Sequence, residues 1–557
     1  MLLRVMSDTN PALQKEHAFP KLSEEHLKDL TTYGDHKTFS AGEEIWAAGT
    51  PNMCMNVVVS GRLDIIDART QRVIASHEPG GFSGDIDVLN GRPVVVMGQA
   101  GTDLEVVQLQ GDCVRSIVQE HPGLGEIILR AFLMRRAMLQ ASGEVGVLVV
   151  GSRYSPDSLR IREFLFRSRY PMHWEDVESS PDARLMLKEF EVCESDTPVV
   201  VIPSGDVLRR PTNVELATAL GVLRPVEDAI LDVVVVGSGP AGLAAAVYGA
   251  SEGLKTLVID EEAPGGQAGT SSRIENYMGF PFGISGQDLA DGAVAQAEKF
   301  GARMISPAVT KSLTCGDAGL HEMEIEGIGK IVTRCVVLAT GAKYRELGCE
   351  GQDEFAGRGV FYAATNVERV LCGESSVVVV GAGNSAGQAA VFMSEQAKHV
   401  FLVVRGDDLR KSMSSYLAVR IEGLQRDGKL SILLNSEVCS LRGEHELEEV
   451  TIRDAATGKV QEEKVAGVFV MIGAVPRTDW LKDSSKVALD EKGFVLTGND
   501  VVSRNLWKAS RAPYFLETSC PGVFAVGDAR SGSIKRVASA VGEGSMAIAL
   551  AHQYLAL

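Results

Sequence analysis

The nine cysteines of this 557-residue chain never form a C-x-x-C pair, and no cysteine–histidine set has metal-ligand spacing. That absence excludes zinc ribbons and local dithiol motifs, and an odd number of dispersed thiols suits a reducing compartment. Long apolar runs are missing too: those present, such as Val233 to Val236 and Val377 to Val380, are strand-length. A membrane span needs ~18–20 such residues. The opening MLLRVMSDTN has no long apolar stretch and no small-residue cleavage site. We therefore expect no secretion signal and a cytoplasmic location. Positive charge is scarce, since the net charge is −18. This disfavours nucleic acid, whose binding is driven by basic patches, and it weakly disfavours an acidic electron carrier. No repeat at a solenoid period and no low-complexity tract occurs.

What is present is apolar and rich in glycine: 45% of residues are hydrophobic and 58 are glycine. The length implies several domains. Up to about residue 140, short strand-like runs (Asn56 to Ser60, Leu63 to Ile66, Leu104 to Gln108) alternate with Gly, Pro, Asn and Asp. Helical patterns follow at Cys113 to His121 and Gly123 to Gln140. Evenly spaced short strands predict a small β-barrel or jelly roll with terminal helices. From 143 to about 225 the order reads strand, helix, strand, helix, strand, strand, helix.

The remainder carries two dinucleotide fingerprints. Leu231 to Val236 is a buried-strand run leading into Gly237-Ser238-Gly239-Pro240-Ala241-Gly242 and a helical pattern. Gly237 permits the turn, Gly239 lets backbone amides reach a pyrophosphate, and Gly242 allows close helix–sheet packing. Free amides and the helix dipole then hold the phosphates. A second strand, Lys255 to Ile259, ends at Asp260-Glu261, an acidic pair placed to accept bonds from ribose hydroxyls. The other copy runs from Val377 to Val380 into Gly381-Ala382-Gly383-Asn384-Ser385-Ala386. Its second strand, Val400 to Val404, ends in Arg405, followed by Arg410 and Lys411. Arginines bind a 2′-phosphate where an acid repels it, so NADPH is expected over NADH. Near the C-terminus an apolar strand ends in Gly527-Asp528, and Lys535-Arg536-Val537-Ala538 opens a helix. Asp528 is placed to bond a flavin's ribityl hydroxyl, and the helix amides to face its pyrimidine edge.

Taken together these motifs resemble the low-molecular-weight thioredoxin reductases, across residues 230 to 557. Gly265-Gly266-Gln267, Ile274-Glu275-Asn276-Tyr277, Ala339-Thr340-Gly341-Ala342, and Ile472-Gly473 with Pro476 match in order. The resemblance implies an FAD domain in two parts, 228–345 and 474–557, around an NADPH domain at 346–473, and a homodimer. It implies FAD contacts from Gly237, Ser238, Gly239, Pro240, Ala241, Gly242, Asp260, Glu261, Gly266, Gln267, Asn276, Thr340, Gly341, Gly527, Asp528, Arg536, Val537 and Ala538. NADPH contacts are implied for Gly381, Gly383, Asn384, Ser385, Arg405 and Arg410. Gly406 stands where the family has a second adjacent arginine, which relaxes the expected 2′-phosphate selectivity.

Residues 1–142 resemble a cyclic-nucleotide-binding domain through FSAGEEIWAAGT, VVVSGRLDII and GGFSGDIDVLNGRP. The family's Gly-Glu pair is Gly84-Asp85 here, and Val94 replaces the arginine that clamps the cyclic phosphate. Val94 offers no charge-assisted donor, so cyclic-nucleotide binding is not expected. Residues 143–227 resemble a thioredoxin- or glutaredoxin-like domain. Its C-P-x-C is replaced by Ser155-Pro156-Asp157-Ser158, while Thr197-Pro198 matches the family's cis-proline site.

In the thioredoxin reductases Y-C-A-T-C-D precedes the NADPH loop and its disulfide relays electrons. Here the stretch is FYAATNVE, and Ala363 and Asn366 fall on the two cysteine positions. Attack on a disulfide needs a thiolate, and neither residue supplies one. The expected function is therefore hydride transfer from NADPH to FAD and on to a non-disulfide acceptor, small molecule or protein, with no catalytic cysteine and no metal. Two alternatives stay open: an FAD/NADPH redox or nucleotide sensor with little turnover, and a thioredoxin-disulfide reductase using displaced thiols such as Cys349 or Cys372.

Overall fold

The computed structural model describes residues 11–557 except 52, 191, 224, 225, 227–229, 272, 273, 275, 276, 317, 318, 356, 357, 363, 365–368, 370, 371 and 483–485. Among these, no helix is long and apolar enough to cross a membrane.

The N-terminal strands pair into two antiparallel sheets. One joins Asp35–Phe39, Leu104–Leu109 and Met55–Ser60; the other joins Glu44–Trp46, Met97–Ala100, Leu63–Ile66 and Val73–His77. Alternate residues of Met55–Ser60 and Leu104–Leu109 turn inward onto Phe82 and Phe132, as period-2 patterning requires. The helices Gly111–Glu120 and Pro122–Ser142 close the domain. The second of these buries two arginines, Arg135 and Arg136.

The next unit follows the expected order of elements. Val147–Gly151 pairs parallel with Met172–Asp176 and antiparallel with Val199–Val201, and Val207–Arg209 completes a four-stranded sheet. The helix Pro156–Arg167 begins where Ser155 accepts a hydrogen bond from the Ser158 amide, with Pro156 at its first turn.

Two larger sheets follow. Arg303–Ile305, Thr256–Ile259, Leu231–Val236 and Gly329–Leu338 lie side by side and parallel, and Val523–Ala525 adds a further parallel strand from the C-terminal part of the chain. The second of these larger sheets is all parallel: Val360–Phe361, Gly467–Val470, Val377–Val380, Val400–Val403 and Leu430–Leu433. Strands buried on both faces need continuous Val, Ile and Leu runs, and both VVVV segments are buried throughout.

Candidate functional site

The first dinucleotide loop forms at the C-terminal edge of its sheet, between neighbouring parallel strands, where open α/β sheets bind ligands. Gly237 has φ of +103°, and a Cβ there would lie 2.3 Å from the Ala339 carbonyl oxygen. A Cβ on Gly242 would lie 1.8 Å from the Gly237 carbonyl. Both positions therefore exclude a side chain. Gly239 precedes the helix Pro240–Ser251 with no side-chain cap, and a Cβ on it would meet only the Gly266 Cα, at 3.9 Å. The first amides of that helix are thus left open beside an uncrowded backbone. The Thr340 hydroxyl next to the loop is buried with no partner. An open helix N-terminus, a cradle of glycine and an orphaned hydroxyl fit a dinucleotide pyrophosphate.

Asp260 has a part that its place in the sequence does not reveal. Its Oδ2 accepts bonds from the Ser238 amide (2.6 Å) and hydroxyl (2.7 Å), and its Oδ1 accepts from the Glu262 amide (2.9 Å). The carboxylate holds the loop itself, and Glu261 is the exposed acid beside it. Behind the loop sits the turn Ala263 to Gly269, tied to it by the Gly265 amide donating to the Ser238 carbonyl at 2.9 Å. Gln267 Nε2 donates to the Ala342 carbonyl, joining this turn to Thr340-Gly341.

At the C-terminal element, Gly527 has φ of +65° and its amide donates to Glu543 at 2.7 Å. Asp528 is half-buried, and burial raises its carboxyl above the usual range. Arg536 caps the helix Val537–Leu555, whose first turn carries Ala538. That helix packs on Pro240–Ser251 closely enough that a Cβ on Gly544 would lie 2.0 Å from the Ala241 carbonyl. The two sequence-distant halves of the candidate FAD site are therefore brought together. Asn276 lies outside the described residues.

In the second loop, Gly381 has φ of +143°, and a Cβ there would lie 2.3 Å from the Met471 carbonyl. Nothing approaches a Cβ on Gly383 within 4 Å, and Asn384 opens the helix Asn384–Met393. Asn384 Oδ1 accepts from the Ser414 amide at 2.7 Å, while Ser385 is exposed. Arg405 is exposed with no ion pair among the described residues. Arg410 is committed to Glu422 at 2.7 Å, so the two arginines are not equivalent.

Of FYAATNVE, Ala363 and Asn366 lie outside the described residues. Phe361 and Ala364 are buried in the core of this domain together with Cys372. Cys349 is half-buried, and burial raises its thiol. Burial thus works against a thiolate at Cys349. In the second unit Ser158 is buried, with its hydroxyl unpartnered beside Gly151 and Pro198.

Arg136, 2% exposed, forms an ion pair with Asp85 at 2.6 Å and another with Asp87. Val94 lies in an apolar cluster with Trp46, Met53 and Leu63. Residues of the N-terminal unit also face the larger unit: Asn90 donates to Glu298 at 3.2 Å, and Arg92 reaches the same carboxylate at 3.7 Å. Arg169 reaches Asp291 at 3.6 Å. Arg167, 7% exposed, donates to the carbonyls of Ala263 (2.9 Å), Pro264 (3.4 Å) and Gly266 (3.3 Å). No sequence motif marks Arg136 or Arg167.

Two strand–glycine loop–helix units in one chain, the first completed by a distant C-terminal strand and helix, define a two-nucleotide oxidoreductase. Residues 231–544 match the pyridine nucleotide-disulphide oxidoreductase family, and the chain belongs to it. Residues 36–121 match the cyclic nucleotide-binding domain family, so the chain joins that domain to a thioredoxin reductase-like part. The chain is 34% identical over 329 residues to a thioredoxin reductase of Streptomyces clavuligerus, covering 59% of this chain and 94% of that one. It is 33% identical over 324 residues to a thioredoxin reductase of Treponema pallidum, covering 58% and 97%. The crystal structure of T. acidophilum thioredoxin reductase is similar at 29% identity and a TM-score of 0.51, covering 59% of this chain and 100% of that one. Thioredoxin reductases use FAD and NADPH.

Proposed function

We propose that this chain is a flavoprotein in which bound FAD takes hydride from NADPH and passes electrons to an acceptor other than a disulfide, without a dithiol relay. The observation that carries this reading is the pairing of two well-formed nucleotide loops with FYAATNVE, where alanine and asparagine occupy the relay positions. Gly237 to Gly242, Gly266, Gln267, Thr340 and Gly341 would hold the FAD pyrophosphate side, and Glu261 its ribose. Gly527, Asp528, Arg536, Val537 and Ala538 would line the flavin end. Gly381, Gly383, Asn384 and Ser385 would hold NADPH, with Arg405 on the 2′-phosphate. Orientation within these loops, rather than an acid–base residue, is what hydride transfer asks of the protein.

The domain limits 1–142, 143–227, 228–345, 346–473 and 474–557 belong to this proposal. The β-jelly-roll reading draws support from the two antiparallel sheets, and the thioredoxin-like reading from the mixed four-stranded sheet. We read Ser155 and Ser158 as replacing a lost dithiol, and Arg136 as filling the site a cyclic nucleotide would need. A homodimer is proposed as well; Met278 and Phe282, 92% and 83% exposed, are large apolar side chains suited to a subunit contact. The sensor reading draws on the grip of Arg167 on the turn behind the FAD loop. Stopped-flow mixing with NADPH under argon, followed by a panel of quinones, dioxygen, one-electron carriers and a thioredoxin disulfide, tests the assignment. Flavin bleaching with reoxidation by a non-disulfide acceptor supports it. Thioredoxin as the best acceptor would refute it, and a flavin that stays oxidised would favour the sensor.

A further inference from the structure

A cysteine–cysteine–histidine cluster lies at the end of the large sheet opposite the nucleotide loops. Cys315 ends the strand Thr310–Cys315, and its partner in the antiparallel register is His321, the first residue of His321–Ile325. Cys520 precedes the strand Val523–Ala525 and lies in the buried cluster against which Cys315 packs, two residues before Gly522, where a Cβ would come 2.9 Å from His321 Nε2. Cys520 is 2% and His321 1% exposed, whereas Cys315 is half-buried and so reachable from solvent. Neither ring nitrogen of His321 has a hydrogen-bond partner of ordinary geometry. A fully buried imidazole without nitrogen or oxygen partners is costly, and here it faces a thiol.

The electrostatics agree with the geometry. The bond from Cys520 and the neighbouring His321, helped by the Lys486 amide, hold the Cys315 thiol down to about 5 against the opposing effect of burial. The same shared bond, with burial, pushes Cys520 up. One sulfur is therefore poised as a thiolate and its neighbour kept as a thiol, the division of labour between attacking and resolving cysteines. No group of three or more His, Cys, Asp or Glu able to hold a metal occurs among the described residues.

We propose that Cys315 and Cys520 are a peroxide-reactive dithiol, with Cys315 the attacking sulfur and Cys520 the resolving one. The Cys315 thiolate attacks one oxygen of hydrogen peroxide, the O–O bond breaks, and Cys315 becomes a sulfenic acid. The departing hydroxide takes up the proton that Cys315 had shed and becomes water. Cys520 then attacks the Cys315 sulfur, the S–S bond forms, and hydroxide leaves with the Cys520 proton as a second water. Two thiols are oxidised by one peroxide, which is reduced to two waters. Cys520 lies in a turn closed by the Val523 amide donating to its carbonyl at 3.1 Å, and the strand Val523–Ala525 then leads to Gly527, four steps or on the order of 13 Å at ~3.3 Å per residue. The pair is thus separate from the candidate flavin site, and its reduction falls to a soluble thiol.

Peptide mapping of the full-length protein after one to three equivalents of hydrogen peroxide tests this. The expected result is a Cys315–Cys520 linked peptide as the first oxidation product, reversed by dithiothreitol. Cys520→Ser should trap the sulfenic acid at Cys315, detected with dimedone, and Cys315→Ser should leave Cys520 reduced. Iodoacetamide should alkylate Cys315 at pH 6 about tenfold or more faster than exposed Cys193. Oxidation that begins at other cysteines while Cys315 and Cys520 stay free, or a Cys315 no faster than Cys193, would overturn the proposal. Because the alkylation arm uses the unmodified chain, it stands even if a serine variant misfolds.

Discussion

Arg167→Ala probes the connection between the N-terminal units and the candidate FAD loop. Arg167 ends the helix Pro156–Arg167 and donates to three carbonyls in the turn Ala263 to Gly266. That turn touches the dinucleotide loop: a Cβ on Gly266 would lie 2.9 Å from the Gly239 Cα. One contact, to Ala263, has good length at 2.9 Å, and the other two, at 3.4 and 3.3 Å, are weak. A hydrogen bond from a charged donor is worth roughly 1.5–3 kcal/mol. Part of that loss falls on domain docking, so we expect about 1–2 kcal/mol on flavin binding, roughly 5- to 30-fold in Kd. Reconstitution of apoprotein with FAD, followed by quenching of flavin fluorescence, measures it. Arg167→Lys should restore part of the loss through its single ammonium. A well-folded Arg167→Ala protein that binds FAD as tightly as the parent would refute the argument. A parent protein that takes up no FAD would instead refute the cofactor assignment itself.

Arg405→Ala should weaken NADPH by roughly 1.5–3 kcal/mol and leave NADH nearly unchanged, whereas Arg410→Ala should do less because Arg410 is paired with Glu422. Equal losses for both nucleotides in a titration would contradict the 2′-phosphate assignment. Burial raises the Asp291 carboxyl to about 6, against the pull of Arg169 and the Gln287 amide. The folded chain thus holds a proton that the unfolded chain releases between about pH 4 and 6, and this group favours folding as pH falls through that window. Its cost at neutral pH is about 2–3 kcal/mol, so Asp291→Asn should flatten the pH profile of thermal unfolding between pH 4 and 7, and an unchanged profile would contradict this. Cyclic AMP should show no saturable micromolar binding in calorimetry, because Arg136 occupies Asp85 and Val94 lies in an apolar cluster; a clear titration would overturn that reading.

Much of this architecture was legible before any coordinates. The strand Leu231–Val236, its glycine loop and its helix carry their signal within twenty residues, and so do their counterparts at Val377–Val380. The rest depends on contacts between residues far apart in the chain. Arg167 meets Ala263 across 96 positions, and Arg136 meets Asp87 across 49. Cys315 and Cys520 look like isolated thiols until the sheet places one strand end beside another. The Glu422 that pairs with Arg410 lies on the following helix, beyond what the local motif shows. The ribose role read for Asp260 likewise missed its bonds to Ser238, which only the folded turn makes.

Counting electrons tests the central claim most directly. Anaerobic titration of the purified protein with NADPH, monitored by flavin absorbance, should end at one equivalent per FAD, because the proposed transfer path has the flavin as its sole acceptor. An end point of two equivalents that persists in the Cys315→Ser, Cys520→Ser double variant would show a second two-electron acceptor coupled to the flavin and contradict a relay-free enzyme.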